Sequence, residues 1–290
     1  MDTWPAITEP LLRERQAMSD DEFFVHLAGL CEAIGTRELP DDHYDRAVGY
    51  PWGRPPGSCV VTADGVEDVA DEDETRKRAL LAEYADDPSR VPLLAYGANA
   101  SPERLALKLE HLPEGDREAL ILAAELEDFD VAGAAQPPLF SSIAATLVAS
   151  PGTRVRVAVL FLTPLQFTTL WWTELSYKVG ALSDVVVRTG LTAEPLTRVI
   201  AFVSRYGTLV LDGVPAAMAA IPAVDRRWPG LTQLELMEAV AGLTLGGGAG
   251  AHDVVRSAYE RPAAFLAEHL AALRASSVPF ADERWEELPA

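Results

Sequence analysis

The chain has 290 residues, 49 % of them hydrophobic, and carries 24 Lys and Arg against 44 Asp and Glu, a net charge of −20. That length can bury one large core or two small ones. The acidic balance lacks the positive footprint that nucleic acid requires. Two cysteines, Cys31 and Cys59, fit neither a disulfide framework nor a metal-ligand spacing, which points to a reducing cytoplasm.

Met1-Asp2-Thr3-Trp4-Pro5 shows no basic segment and no apolar core of a secretory leader. Ser19-Asp20-Asp21-Glu22 forms a capping box, and Phe23, Leu27, Leu30 and Ile34 recur at helical spacing until Gly35. A Pro/Gly/Trp segment, Tyr50-Pro51-Trp52-Gly53-Arg54-Pro55, follows. Its Arg54 reads either as a carboxylate-holding pocket cap or as part of a rigid segment docked across the fold. Val60 and Val61, then Asp64-Gly65, then Val66 and Val69 predict a hairpin, and Thr75 to Tyr84 a helix. Residues 1–90 thus read as an N-terminal extension.

From residue 91 strands and single helices alternate. Val91 to Ala95 predicts a short buried strand, and Ser101-Pro102-Glu103 a helix start with Ser101 as N-cap. Between them Tyr96-Gly97-Ala98-Asn99 makes a tight turn that gathers backbone N–H groups around one point, suited to an anion or a developing oxyanion. Strands are predicted at Ile121–Val131, Ser141–Val148, Val155–Leu162, Asp184–Arg188 and Arg198–Ser204. Ser150-Pro151-Gly152-Thr153 reads as a turn joining two antiparallel strands. Thr163-Pro164-Leu165-Gln166 is a second capping box. The tail predicts helices over Leu231–Leu243 and Ala251–Leu273, separated by a Gly246-Gly247-Gly248 link. The longest apolar run, Val157 to Thr173, contains Pro164 and is shorter than the about 20 residues a membrane span needs.

Glu174 closes the helix that opens at Pro164. The negative end of the helix dipole disfavours a charged carboxylate there, and burial beside Trp171 or Trp172 would act the same way. A carboxylate so tuned is a proton acceptor for an ammonium group; the plain alternative is a solvated helix end. The five histidines are scattered, with no pair at metal spacing. No Gly-x-Ser-x-Gly elbow and no P-loop accompany them.

Leu94-Ala95-Tyr96-Gly97-Ala98-Asn99 resembles the FAYGSN motif of the γ-glutamylcyclotransferase-like proteins, and later stretches follow in that family's order. Ala124 to Val131 resembles "A-x-L-x-G-Y-x-L", and Ile143 to Gly152 resembles "G-x-A-T-L-x-P-x-P-G". Val155 to Thr163 resembles "V-x-G-V-L-Y-x-L-T", Leu170 to Glu174 "L-D-x-x-E", and Val214-Pro215 more loosely the "P-S-x-x-Y-L" tail. The resemblance spans roughly residues 91–240. It implies an α+β fold, a small mixed β-barrel with flanking helices, to which 1–90 adds an extension and 241–290 a helical tail.

It further implies a cofactor-free, metal-free enzyme that releases 5-oxoproline from a small γ-glutamyl amine or peptide; charge and run length already speak against nucleic-acid and membrane partners. Glu174 takes the place of the catalytic glutamate, and Tyr96, Gly97, Ala98 and Asn99 that of the substrate-binding loop. Ala98 stands where the family usually has Ser, so a backbone-donor role survives and a hydroxyl bond does not. A second departure follows the glutamate, where the family often continues Gly-Tyr and this chain continues Leu175-Ser176-Tyr177; Tyr177 and Arg54 are further substrate-side candidates. The alternative is a catalytically silent barrel that binds a small molecule or a protein.

Overall fold

The structure, a computed structural model, describes residues 9–289; the reading of residues 1–5 lies outside them. Helix α1 (Pro10–Ala17) leads into α2 (Asp20–Ile34), whose expected capping box is made: Ser19 N donates to Glu22 Oε2 at 2.8 Å, and Glu22 N to Ser19 Oγ at 3.3 Å. Gly35 stops α2 in the left-handed region, φ 70°. A short α3 (His43–Val48), not expected from sequence, precedes the predicted hairpin of β1 (Cys59–Thr62) and β2 (Gly65–Asp68). Helix α4 (Glu74–Leu80) then continues as a π-turn over Leu81–Ala85.

The centre of the molecule is a closed ring of five strands: β3 (Val91–Ala95), β4 (Ala119–Gly133), β5 (Ala145–Leu162), β6 (Tyr177–Thr189) and β7 (Leu196–Ser204). Around the ring β3 pairs β5 antiparallel, β5 pairs β4, β4 pairs β6, β6 pairs β7, and β7 returns to β3 in parallel through Leu93↔Ile200 and Leu94↔Ala201. Closure satisfies backbone groups that an open sheet leaves at its edges. The small mixed barrel expected from the sequence is present, and β1 extends it through Cys59↔Ile121.

Alternate residues along the ring face two packed regions, as a period of two requires. Leu93, Ala95, Ala158, Leu160, Ile200 and Phe202 pack with α5 (Pro102–Leu109) and α6 (Pro164–Thr173). Leu94, Tyr96, Val157, Val159, Phe161 and Ala201 pack with residues of the N-terminal segment and of the C-terminal helices α7 (Gln233–Thr244), α8 (Ala251–Glu260) and α9 (Pro262–Ala275). Cys31 and Cys59 are both free thiols in packed interior.

Three expectations need correcting. Ser150–Thr153 is no hairpin turn: β5 runs straight through it, and Ala149 and Arg154 both pair with β4, opposite Phe129 and Glu127. The four residues form a bulge pinned by Gly152 N donating to Asp128 Oδ1 at 2.8 Å and by a 2.7 Å Ser150–Thr153 hydroxyl pair. The helix expected over Ala251–Leu273 breaks at Arg261, because Pro262 supplies no N–H and starts α9 instead. The strand expected at Asp184–Arg188 begins at Tyr177, where its first half pairs with β7.

Among the described residues no helix is long and apolar enough to cross a membrane, and no three metal-ligating side chains gather.

Candidate functional site

Strand β3 delivers the chain to the Tyr96–Asn99 turn, and Ala98–Ala100 closes a single 3-10 turn before α5. Ala100 N donates to Gly97 O at 3.1 Å and Ser101 N to Ala98 O at 3.0 Å. The amides of Gly97, Ala98 and Asn99 therefore precede the turn's own hydrogen bonds, as at any helix start, and that of Ala98 faces the Tyr50 hydroxyl. Ser101 does occupy the N-cap position of α5, but its hydroxyl makes no capping bond and is buried with no hydrogen-bond partner among the described residues. Gly97 is required by a close approach: a Cβ there would lie 2.5 Å from Tyr50 Oη and 3.3 Å from Ala145 Cβ. Tyr50 Oη in turn accepts from Ala145 N at 2.9 Å, which ties the N-terminal segment to the mouth of the barrel.

Helix α6 opens with its expected capping box, Thr163 N donating to Gln166 Oε1 at 2.9 Å, and ends on Glu174 as C-cap. Glu174 points at the turn. Its Oε1 accepts from Asn99 Nδ2 at 3.1 Å and from Lys108 Nζ at 2.9 Å, while Lys108 Nζ also donates to Asn99 Oδ1 at 2.7 Å. The lysine has no acceptor capacity, so it fixes which way the Asn99 amide faces. The side chains of Glu174 and Lys108 are 16 % and 17 % exposed, withdrawn from bulk water yet open to a cavity. The solvated helix end is thus not what the chain forms.

Of the two tryptophans, Trp171 turns into the core beside Phe167, whereas Trp172 is part of the cavity wall. Arg15 of α1 donates to the Trp171 carbonyl at the end of α6, and its guanidinium lies 5.8 Å from the Trp172 ring centre. A cation at that terminus complements the helix dipole. Burial pushes the Arg15 guanidinium down to about 10, with Glu174 acting against the shift.

The cavity encloses about 490 Å³. Tyr96, Gly97, Ala98, Asn99, Glu174 and Tyr177 all line it, so the turn and the carboxylate picked out from sequence meet on one surface. Tyr177 donates to Ala145 O at 2.7 Å, and the Tyr96 hydroxyl donates to the Phe202 carbonyl. Burial holds both phenols, and that of Tyr50, well above the ordinary tyrosine range, so all three stay neutral, Tyr96 and Tyr177 as donors and Tyr50 as acceptor. Among the described residues Glu174 is the one carboxylate lining the cavity. Arg54 does not line it: it donates to the Tyr96 carbonyl at 3.1 Å and braces the turn, its guanidinium pushed down to about 10 by burial.

Sequence reasoning missed Lys108 and the cations contributed from outside the barrel, Arg37 and Arg46. Arg104 and Lys108 stand four residues apart, on one face of α5, and both line the cavity. That spacing was the available signal.

No protein-family model and no curated protein matches the sequence. Solved structures do. One is described as a gamma-glutamyl cyclotransferase, at 21 % identity and a TM-score of 0.31 over 40 % of this chain and 66 % of that one. An uncharacterized protein from Homo sapiens matches at 16 % identity and a TM-score of 0.30, over 57 % of this chain and 86 % of its own. YkqA from Bacillus subtilis matches at 15 % identity and a TM-score of 0.30, over 70 % and 71 % of the two chains. At these values the function rests on the geometry of the site itself.

Proposed function

We propose that the protein is a cyclotransferase that releases 5-oxoproline from a small γ-glutamyl amine or peptide. The observation that carries this reading is the meeting of Glu174 with the Tyr96–Asn99 turn on one cavity wall, joined by the 3.1 Å Asn99 hydrogen bond. In this reaction the α-amine of the glutamyl group attacks its own γ-carbonyl. A new C–N bond closes the five-membered ring, and the bond to the leaving amine breaks.

A nucleophile held in the same molecule already has an effective concentration on the order of 10⁵–10⁸ M when the substrate is folded correctly. The protein has to impose that conformation, move one proton and face the oxyanion with donors. Glu174 takes the proton from the attacking amine and returns it to the departing nitrogen, a role worth about 10²–10⁴-fold. The Lys108 ammonium and the amides of the turn hold the substrate's α-carboxylate or the developing oxyanion. Ala98 lacks the family's hydroxyl and keeps its backbone N–H, which the Tyr50 hydroxyl shares. Tyr177 shapes the wall beside Glu174.

A second reading has one observation in its favour. Lys108 Nζ occupies the same Glu174 oxygen that would accept the proton. If that ion pair persists with ligand bound, the barrel binds without reacting. Incubating the protein with a panel of γ-glutamyl amino acids, peptides and amines, with mass spectrometry of 5-oxoproline, separates the two. Release from any member supports the enzyme. Saturable binding with no release across the panel overturns it in favour of the binding module.

A further inference from the structure

Besides Lys108 and Glu174 the same cavity is lined by charged groups that the reaction leaves unused. Arg37 is anchored to the end of α8: its N donates to Glu260 O at 3.2 Å, its Nε to Tyr259 O at 2.9 Å, and its guanidinium stacks 3.7 Å from the Tyr259 ring centre. The His43 ring lies 4.2 Å from the same tyrosine, with Nε2 at 2.9 Å from Ser141 Oγ. Arg46 follows three residues later on α3. Across from the N-terminal segment, Arg104 of α5 stacks 4.4 Å from the Trp52 ring centre. All three arginines line the cavity, and among the described residues no carboxylate lies within salt-bridge distance of them.

That gathering runs against the composition. Acids outnumber bases 44 to 24, so a cation on this molecule has abundant carboxylates to choose from. Burial chiefly, with Arg46 and Arg37 adding to it and Asp42 opposing, holds His43 below its usual range. Stacking fixes a guanidinium plane and leaves its hydrogen-bonding edge for a carboxylate or phosphate. The cavity wall also includes Trp52 and Trp172. The volume of about 490 Å³ falls in the range of ~300–1,000 Å³ that encloses drug-sized ligands, more than a glutamyl group alone demands.

We infer that Arg37, Arg46 and Arg104 form an anion subsite for an acidic group at the far end of the leaving amine, with an apolar or aromatic body spanning the distance. This rests on the cyclotransferase reading and adds the substrate class: γ-glutamyl conjugates of extended amines that end in an anion. Selectivity then comes from α3 and the segments flanking it, with α5 and α8, not from the groups that move the proton.

The test compares three γ-glutamyl conjugates of one shape, those of 4-(aminomethyl)benzoate, its neutral carboxamide, and the corresponding benzylic diamine. For the parent protein, kcat/KM for 5-oxoproline release favours the carboxylate over the carboxamide by about tenfold or more, the scale of a charged hydrogen bond. In Arg46→Gln and Arg37→Gln that ratio falls toward one. In Arg46→Glu the preference shifts toward the diamine conjugate, a gain that misfolding does not produce. Equal efficiencies for carboxylate and carboxamide in the parent overturn the subsite and leave the cyclotransferase reading standing. No release from any of the three, nor from the wider panel, overturns that reading and the subsite with it.

Discussion

The floor and the rim of the cavity are built in different ways. The floor, Asn99, Lys108 and Glu174, sits on α5, α6 and the turn that leaves β3, elements locked to the closed ring and joined by three hydrogen bonds between 2.7 and 3.1 Å. The rim, Arg37, His43, Arg46 and Tyr259, comes from short helices and connecting segments before and after the barrel; Arg104, on α5, is the one residue of the proposed subsite that a floor element carries. The rim is held by ring stacking and a few main-chain bonds. Groups that must be placed within a fraction of an ångström belong on rigid elements, and groups that choose among substrates tolerate a softer support. Under the proposed function, one fold would keep its chemistry while its appended segments change what it accepts.

If the floor works as described, Lys108→Met raises KM for a γ-glutamyl substrate by about 10–100-fold, as loss of a charge-assisted hydrogen bond would, with a smaller fall in kcat. An unchanged KM would remove Lys108 from substrate binding. The floor also depends on Gly97. Gly97→Ala brings a Cβ onto Tyr50 Oη and costs about 1–3 kcal/mol in unfolding free energy. Tyr50→Phe in the same chain recovers part of that loss, and the double-mutant cycle measured by denaturant unfolding detects the coupling. Additive losses would show that the turn moves away from Tyr50 instead.

The arm that braces α6 comes next. Arg15 is buried and donates to the last turn of the helix that carries Glu174. Arg15→Gln lowers stability by about 1–2 kcal/mol and lowers kcat more than it alters KM, because Glu174 loses its support while the binding groups stay. Equal kcat would confine Arg15 to stability. The smallest effect belongs to the rim. The folded His43 imidazole titrates below its usual value of about 6.5, so unfolding takes up protons between the lowered value and 6.5. Stability from this residue is complete above that window and declines as pH falls through it. Melting temperatures across mildly acidic pH show the decline, and His43→Gln flattens that part of the curve.

How much of this was legible follows from what each feature depends on. The capping boxes at Ser19 and Thr163 and the start of α5 at Pro102 are local, and the chain forms them where the residues predict. Glu174 and the Tyr96–Asn99 turn were identifiable because each ends an element and combines residue types with a shared chemistry. Lys108 was not, because it is 66 residues from Glu174 in sequence and reads like any polar helix face. The bulge at Ser150–Thr153 misled because Ser-Pro-Gly-Thr encodes a tight local bend, and the bend alone does not say whether the chain reverses. That is decided by pairing with Glu127 and Phe129, two strands' worth of chain away from any local cue. The rim lay outside the recognised motifs altogether, since stacking of Arg37 on Tyr259 joins residues 222 apart.

The central claim is that Glu174 moves the proton during ring closure. The most direct measurement is the rate of 5-oxoproline formation by the parent and by Glu174→Gln on one accepted γ-glutamyl substrate, with binding of that substrate followed by calorimetry. Glutamine keeps the shape and an oxygen for Asn99, so the account predicts retained binding and a kcat lower by about 10²–10⁴-fold. Equal kcat in the two proteins would contradict it and place proton transfer elsewhere.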